Sequence, residues 1–202
     1  MAGVSPSVRG LSALSVLWLI AATFGMVRLL DYGSTPAAPS SPPERWPSHT
    51  ALKRHPGRAT LVMLAHPRCP CTRSTLGELA VIAAQTRGLL DIHVVFLWTE
   101  ALDYRSGLWD QARMIPAADV ISDAGGAEIR AFGALASGHV LVYDVHGRLA
   151  FSGGITSSRG HAGSSTGREA VIALAQSGRA QIASTPVFGC ALREPRENDH
   201  RQ

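Results

Sequence analysis

The segment Thr60-Leu61-Val62-Met63-Leu64-Ala65-His66-Pro67-Arg68-Cys69-Pro70-Cys71-Thr72 sets two cysteines between an apolar run and a helix-forming one. Thr60–Ala65 reads as a short buried strand, because it is continuous and apolar. Arg73 to Ala84 reads as a helix. Cys69 and Cys71 therefore stand where a strand hands over to a helix. Backbone N–H groups at a helix start point at whatever lies there and favour negative charge. A thiolate is such a charge, so a cysteine at this junction becomes reactive. Two small buried hydrophobes are the plain alternative. Two of only 3 cysteines in 202 residues, one residue apart in a Pro-flanked loop, argue for chemistry instead. The odd count leaves at least one thiol free, metal-bound or catalytic.

The bulk composition excludes more than it selects. The hydrophobic share of 46% is that of an ordinary globular chain, and the net charge of +4 is modest. The basic residues are scattered, and Lys53 is the single lysine. No basic stripe interleaves with aromatics, so no nucleic-acid partner is expected.

Working outward toward the amino terminus, Leu11 to Val27 carries no charge and is close to the roughly 20 residues that cross a bilayer as a helix. Residues 1–30 are expected to form an N-terminal membrane anchor that contacts the lipid bilayer through residues 11–30. The run exceeds a signal-peptide core, and Thr35-Pro36-Ala37-Ala38-Pro39 is a proline-filled cleavage site, so the anchor is expected to be uncleaved. Arg9 on one side and Arg28 and Arg45 on the other leave the positive-inside bias balanced. The cysteine chemistry leans toward an oxidising, extracytoplasmic side for the rest of the chain. Residues 31–49 hold five prolines between Pro36 and Pro47 and read as an extended spacer. A folded domain is expected over 50–193, followed by a charged tail over 194–202.

Within that domain Leu89 to Trp98 reads as a second buried strand, β-branched and continuous as a central parallel strand should be. Arg87-Gly88 stops the preceding helix. Leu108, Trp109, Ala112 and Ile115 recur at helical spacing before Pro116. Asp119–Ser122 is a short third strand, and Asp123 is placed to cap a helix over Ala124–Phe132. His139–Asp144 and Arg148–Ile155 flank the turn Val145-His146-Gly147, which makes an antiparallel hairpin. A Gly/Ser-rich loop over Thr156–Ser165 carries Arg159 and His161. Gly167–Gln176 reads as a last helix, and Cys190 follows in Pro186-Val187-Phe188-Gly189-Cys190. A mixed central sheet with helices on both faces results, its β-α-β start a right-handed crossover.

A strand, a Cys-bearing loop opening a helix, a crossover, a hairpin and a closing helix resemble the thioredoxin superfamily. The anchor, the Pro-rich tether and the Asp119–Phe132 insertion are similar to its membrane-anchored TlpA/ResA type. The motifs at His66–Thr72, Leu141–Asp144, Phe151–Ile155, Arg159–His161 and Val187–Cys190 resemble the RedB-like group of bacterial proteins. The resemblance implies a thioredoxin-like three-layer α/β sandwich, preceded by one transmembrane helix, in the bacterial inner membrane with a periplasmic domain. It also exposes two departures. The superfamily loop is Cys-x-x-Cys, whereas this one is Cys69-Pro70-Cys71, with Thr72 at the second cysteine's place. Gly138, after Ala136-Ser137, stands where the superfamily has a cis-proline.

Three chemistries are compatible with these residues. In thiol–disulfide exchange, Cys69 is the nucleophile, favoured by the helix start, Arg68 and Arg73, and Cys71 resolves the mixed disulfide with a protein dithiol or disulfide partner. No cofactor is then needed. His66, Pro67, Arg68, Pro70, Thr72, Ser137 and Gly138 would shape the loop, and Cys190 would be a third thiol. The alternative is copper binding by Cys69 and Cys71, with His66, His161 or Cys190 completing the site, since soft thiolates select Cu(I). Peroxide reduction is a weaker third, because the spacing of Pro67, Cys69 and Thr72 fits it poorly.

Overall fold

The computed structural model describes residues 6–99, 105–179 and 181–193. The chain divides into two compact units, one ending at Thr35 and the other starting at Pro36. The first contains α1 (Pro6–Ser34). Its stretch Gly10–Ser34, 25 residues, is long and apolar enough to cross a membrane and buries none of its side chains in protein. At 1.5 Å per residue it measures about 38 Å, against a hydrocarbon core of about 30 Å. The helix runs to Ser34, so residues 31–34 belong to it and not to a spacer.

The second unit holds β1 (Ala59–Ala65), α2 (Pro70–Thr86), β2 (Leu90–Trp98), α3 (Gly107–Arg113), β3 (Ala118–Ala124), α4 (Ala127–Ala131), β4 (His139–Tyr143), β5 (Leu149–Gly154) and α5 (Thr166–Ser177). The strands form one sheet in the order β3-β2-β1-β4-β5. β1 and β2 run parallel, with Ala59 opposite Leu90 and Ala65 opposite Phe96. β3 continues the parallel half. β4 lies antiparallel on the other side of β1, with Thr60 opposite Tyr143, and β5 completes the hairpin.

Side chains alternate across β1, so the two faces bury different sets. Leu61 and Met63 meet Leu76, Leu79 and Ile82 of α2 and Val171 of α5. Val62 and Leu64 meet Ile129 and Phe132 at α4 and Leu192. Burial on both faces is why β1 and β2 read as unbroken apolar runs. The domain is an α/β sandwich with a mixed five-stranded sheet, as the order of elements implied.

Local boundaries differ where backbone chemistry overrides pattern. α2 starts at Pro70, three residues before the helical pattern becomes legible, because proline has no N–H to lose in a first turn. Asp123 does cap α4, its carboxylate accepting from the N–H groups of Glu128 (3.0 Å) and Ile129 (2.9 Å). The helix itself is shorter than Ala124–Phe132, since Gly125 and Gly126 take φ of 66° and 75° ahead of it.

The larger correction concerns the proline-rich segment. From Pro36 on it is a strap on the domain rather than a spacer. Ala37 N–H donates to Val187 O (2.8 Å), Leu149 N–H to Glu44 O (2.8 Å) and Trp46 N–H to Gly147 O (2.8 Å). The Tyr143 hydroxyl donates to Pro43 O (3.0 Å). The Trp46 ring meets Phe132 and Tyr143 edge-on, with centroids 5.1 and 5.2 Å apart. Among the described residues no long helix of this unit covers this side of β4, and the aromatic surface there is closed by an extended chain whose prolines fix its path. The domain therefore begins at Pro36 and not near Thr50. Residues 194–202, the expected tail, lie outside the described residues.

The strap also reaches His139, the first residue of β4. This side chain is 1% exposed. Its Nδ1 lies 3.2 Å from Ser40 Oγ and its Nε2 2.9 Å from Ser152 Oγ. Burial holds its pKa down at about 4. A histidine depressed from 6.5 stabilises the fold fully above the unfolded value, and that contribution is lost as pH falls toward the folded one.

Two outcomes follow for urea unfolding of the full chain. Trp46→Ala should lower the unfolding free energy by about 2 kcal/mol, the lower end for a large aromatic because the ring is half-buried. A change below about 0.5 kcal/mol, the surface level, would mean that the strap does not pack. Separately, stability should drop by about 3 kcal/mol between pH 7.5 and 4, and His139→Gln should flatten that slope.

Candidate functional site

The Cys-Pro-Cys loop is held to the sheet by a closed set of hydrogen bonds. His66 N–H donates to Ser137 Oγ (2.9 Å), and Ser137 Oγ lies 2.8 Å from Thr72 Oγ1. Thr72 Oγ1 in turn reaches His66 O (3.4 Å). Each hydroxyl thus accepts once and donates once, which satisfies both although they are buried. Thr72, at the place of a second superfamily cysteine, serves this ring. Gly138 follows with φ +82°, and its N–H donates to Leu64 O (2.8 Å). A side chain there would start 2.9 Å from Thr75 Oγ1. Glycine is required by both the backbone angle and the space.

Cys69 is the N-cap residue of α2, with extended φ −85° and ψ 117°. Its side chain is 1% exposed. Cys71, at the second helical position, and Cys190 are both half-buried. Cys69 lies against the thiols of both Cys71 and Cys190. Burial on its own would raise the Cys69 pKa, but donors aimed at the sulfur outweigh it: the Cys190 thiol, then the backbone N–H groups of Cys190, Thr72 and Cys71. Cys69 is held below the ordinary thiol value, whereas the other two are raised, so it is the cysteine of the cluster that ionises first. The other two pay for it. Burial pushes the Cys190 thiol up to about 12, helped by its hydrogen bond to Cys69 and the charge there. Burial and the Cys69 charge likewise raise Cys71.

Cys190 reaches this position through the backbone. Ser137 N–H donates to Cys190 O (2.8 Å) and Leu192 N–H to Leu135 O (2.8 Å). Ala136 and Ala191 form an antiparallel bridge. Gly189 makes the approach feasible, because a Cβ on it would overlap the Ser137 carbonyl. Upstream, Ser152 N–H donates to Ala183 O (2.9 Å) and Thr185 Oγ1 to Gly154 O (2.7 Å), so this segment also covers the free edge of β5.

Several expected contributors stand elsewhere. Arg68 and Arg73 are exposed, and neither is among the groups that lower Cys69. They line an open groove of about 330 Å³ with Pro67, Cys69, Ser106 and Leu108. The cation of the site is Arg159, which bonds Gly189 O and whose charge opposes the upward shifts of Cys71 and Cys190. Its only sequence signal is an arginine in the Gly/Ser-rich loop. Pro67 is buried, and Pro70 is the exposed first residue of α2. His66 turns its Nδ1 onto Arg68 N–H (3.1 Å), and burial and the Arg68 charge hold its pKa below the ordinary imidazole value. His161 is exposed. Among the described residues, no three His, Cys, Asp or Glu side chains form a set able to hold a metal ion.

No protein-family model matches the chain, and no curated protein matches it. Solved structures share its fold. An uncharacterized conserved protein from Geobacillus kaustophilus superposes with a TM-score of 0.58 at 16% identity, covering 81% of this chain and 92% of that one. A hypothetical protein from Sinorhizobium meliloti 1021 gives 0.53 at 20% identity, covering 79% and 92%. A weaker likeness, 0.37 at 16% identity over 59% and 86%, is to the thioredoxin domain of a thiol-disulfide oxidoreductase from Bacteroides vulgatus.

An ultraviolet pH titration of the reduced protein reads the thiolate directly, without reagent access. One thiolate should form below the ordinary thiol value of about 8.5 and disappear in Cys69→Ser. In that variant Cys71 and Cys190 should ionise at lower pH than in the parent, because the charge that holds their protons is gone. A low step that persists in Cys69→Ser would assign the thiolate to another cysteine.

Proposed function

We propose that this chain is a membrane-tethered thiol–disulfide oxidoreductase that exchanges electrons with a dithiol or disulfide of an extracytoplasmic protein partner. The observation that carries it is the stabilised sulfur of Cys69, with two further thiols against it. A lone structural cysteine needs neither three backbone donors nor a second cysteine. In the reducing direction the Cys69 thiolate attacks a partner disulfide sulfur, one partner thiolate leaves, and a second thiol of the cluster displaces the other. Two thiols become one disulfide, and the partner gains two electrons and two protons.

The stabilised thiolate also sets the direction. Stabilising the reduced form makes a dithiol couple more oxidising. The couple is therefore expected to oxidise partner dithiols, which suits a domain on the outer side of the bacterial inner membrane with α1 as its anchor. The anchor and the Cys-Pro-Cys motif support placing it beside the membrane-anchored TlpA/ResA type and the RedB-like proteins.

The test is equilibration of the full chain, in detergent, against glutathione buffers, with thiol count and metal analysis on the same samples. The potential should lie above about −270 mV, the thioredoxin value. Cys69→Ser should lose exchange with a reduced peptide dithiol by at least about 100-fold, as expected when the attacking or leaving thiolate is removed. Thiols that stay reduced throughout, with copper bound, would replace exchange by metal binding.

A further inference from the structure

We propose that Cys190 is the sulfur a partner thiol contacts, and that Cys69 is the buried sulfur released from a Cys69–Cys190 disulfide. The inference rests on the oxidoreductase function proposed above and assigns the roles within it. It departs from the expectation that Cys69 meets the partner and Cys71 completes the pair.

Access is the first reason. Cys69 is 1% exposed, whereas Cys190 is half-buried on a segment at the surface. An incoming thiolate must approach one sulfur of a disulfide along the S–S axis. The outer sulfur offers that approach.

Placement is the second. Cys190 is fixed at Cys69 by the bridge of Ala136 and Ala191, the bonds of residues 190 and 192 to the backbone at 137 and 135, and the Arg159 bond to Gly189 O. Its thiol already hydrogen-bonds the Cys69 sulfur. Cys71 is held differently. It lies inside the first turn of α2, which closes through Thr72 N–H to Cys69 O (3.0 Å) and Thr75 Oγ1 to Cys71 O (3.2 Å). Its thiol also bonds the Cys69 sulfur, but from within that turn. Closing a Cys69–Cys71 bond would disrupt that turn, and closing Cys69–Cys190 leaves it intact.

The leaving group is the third. A thiol of lower pKa leaves faster. Cys69 has its N–H donors in place before any bond breaks, so its charge needs no rearrangement to be accommodated.

The half-reaction is then balanced as follows. A partner thiolate attacks Cys190 Sγ, the Cys69–Cys190 bond breaks, and its electron pair goes to Cys69. The partner is joined to Cys190 as a mixed disulfide. The partner's second thiolate attacks the partner sulfur of that bond, which releases Cys190 as a thiolate, and Cys190 takes up a proton. The chain ends as a dithiol pair and the partner as a disulfide. Oxidised glutathione regenerates the Cys69–Cys190 bond in the assay.

The experiment uses the full chain in detergent, oxidised with oxidised glutathione, cut without reduction and mapped by mass spectrometry. The expected crosslink is Cys69–Cys190. The oxidised protein is then mixed with a reduced single-cysteine peptide and quenched in acid, and the adduct should sit on Cys190 in at least tenfold excess over Cys69. A Cys69–Cys71 crosslink overturns the assignment. So does an adduct chiefly on Cys69, which would mean that the partner arrives through the Arg68–Arg73 groove. Failure of the oxidoreductase function itself looks different: no disulfide forms and no cysteine takes the peptide. Because the parent sequence is used throughout, a folding defect in a variant cannot imitate any of these outcomes.

Discussion

A charge on a sulfur that is 1% exposed has to be compensated by donors, and that requirement organises the domain around Cys69. Two of the N–H groups come from the first turn of α2. Proline at the first position starts that helix without wasting a donor, and the extended backbone of Cys69 turns its sulfur toward the turn. The third N–H comes from Cys190, so the site is incomplete without a segment that joins the domain at the far end of the sequence. Ser137 serves both halves. Its hydroxyl anchors the His66–Thr72 loop, and its N–H holds Cys190 in place.

The same economy explains the outer face of the sheet. β4 buries residues on both sides, yet among the described residues of this unit the helix on the side of Tyr143 is the short α4. Trp46 and the prolines around it supply the missing cover and meet the residues near Val187 through Ala37. His139 is locked between the strap and β5 by two serine hydroxyls, so its imidazole acts as a neutral crosspiece of the fold and takes no part at the sulfurs. The pair of buried Glu78 and half-buried Arg168, at 2.6 Å, plays the corresponding tying role between α2 and α5.

Much of this is legible in the residues. Continuous apolar runs reveal β1 and β2 because both faces of those strands are covered. The hairpin shows through its Gly-bearing turn, and the two cysteines mark the site. What is not legible depends on contacts distant in sequence. Proline-rich composition encodes an extended path equally well for a free spacer and for a strap, and only Phe132 and Tyr143, nearly a hundred residues on, decide between them. Arg68 and Arg73 look like the cations of the site because they are adjacent, whereas Arg159 holds the position through the fold. Cys190 sits in a segment with no periodicity, and its meaning lies in the register it shares with residues 135–137.

The distance along the chain between these sulfurs has a consequence for biosynthesis. Cys190 follows Cys69 by 121 positions, so the loop-forming contact is among the least local in the domain. Such contacts are slow to form, since the ordering cost of the intervening chain precedes any gain from them. During synthesis the Cys69 loop emerges long before its cover. Until residues 189–192 are made and docked, Cys69 lacks the Cys190 N–H and the lid of the last segment. The full set of donors to the sulfur is therefore completed only when this late contact forms, and the nascent chain passes through a stage in which Cys69 has those of α2 alone.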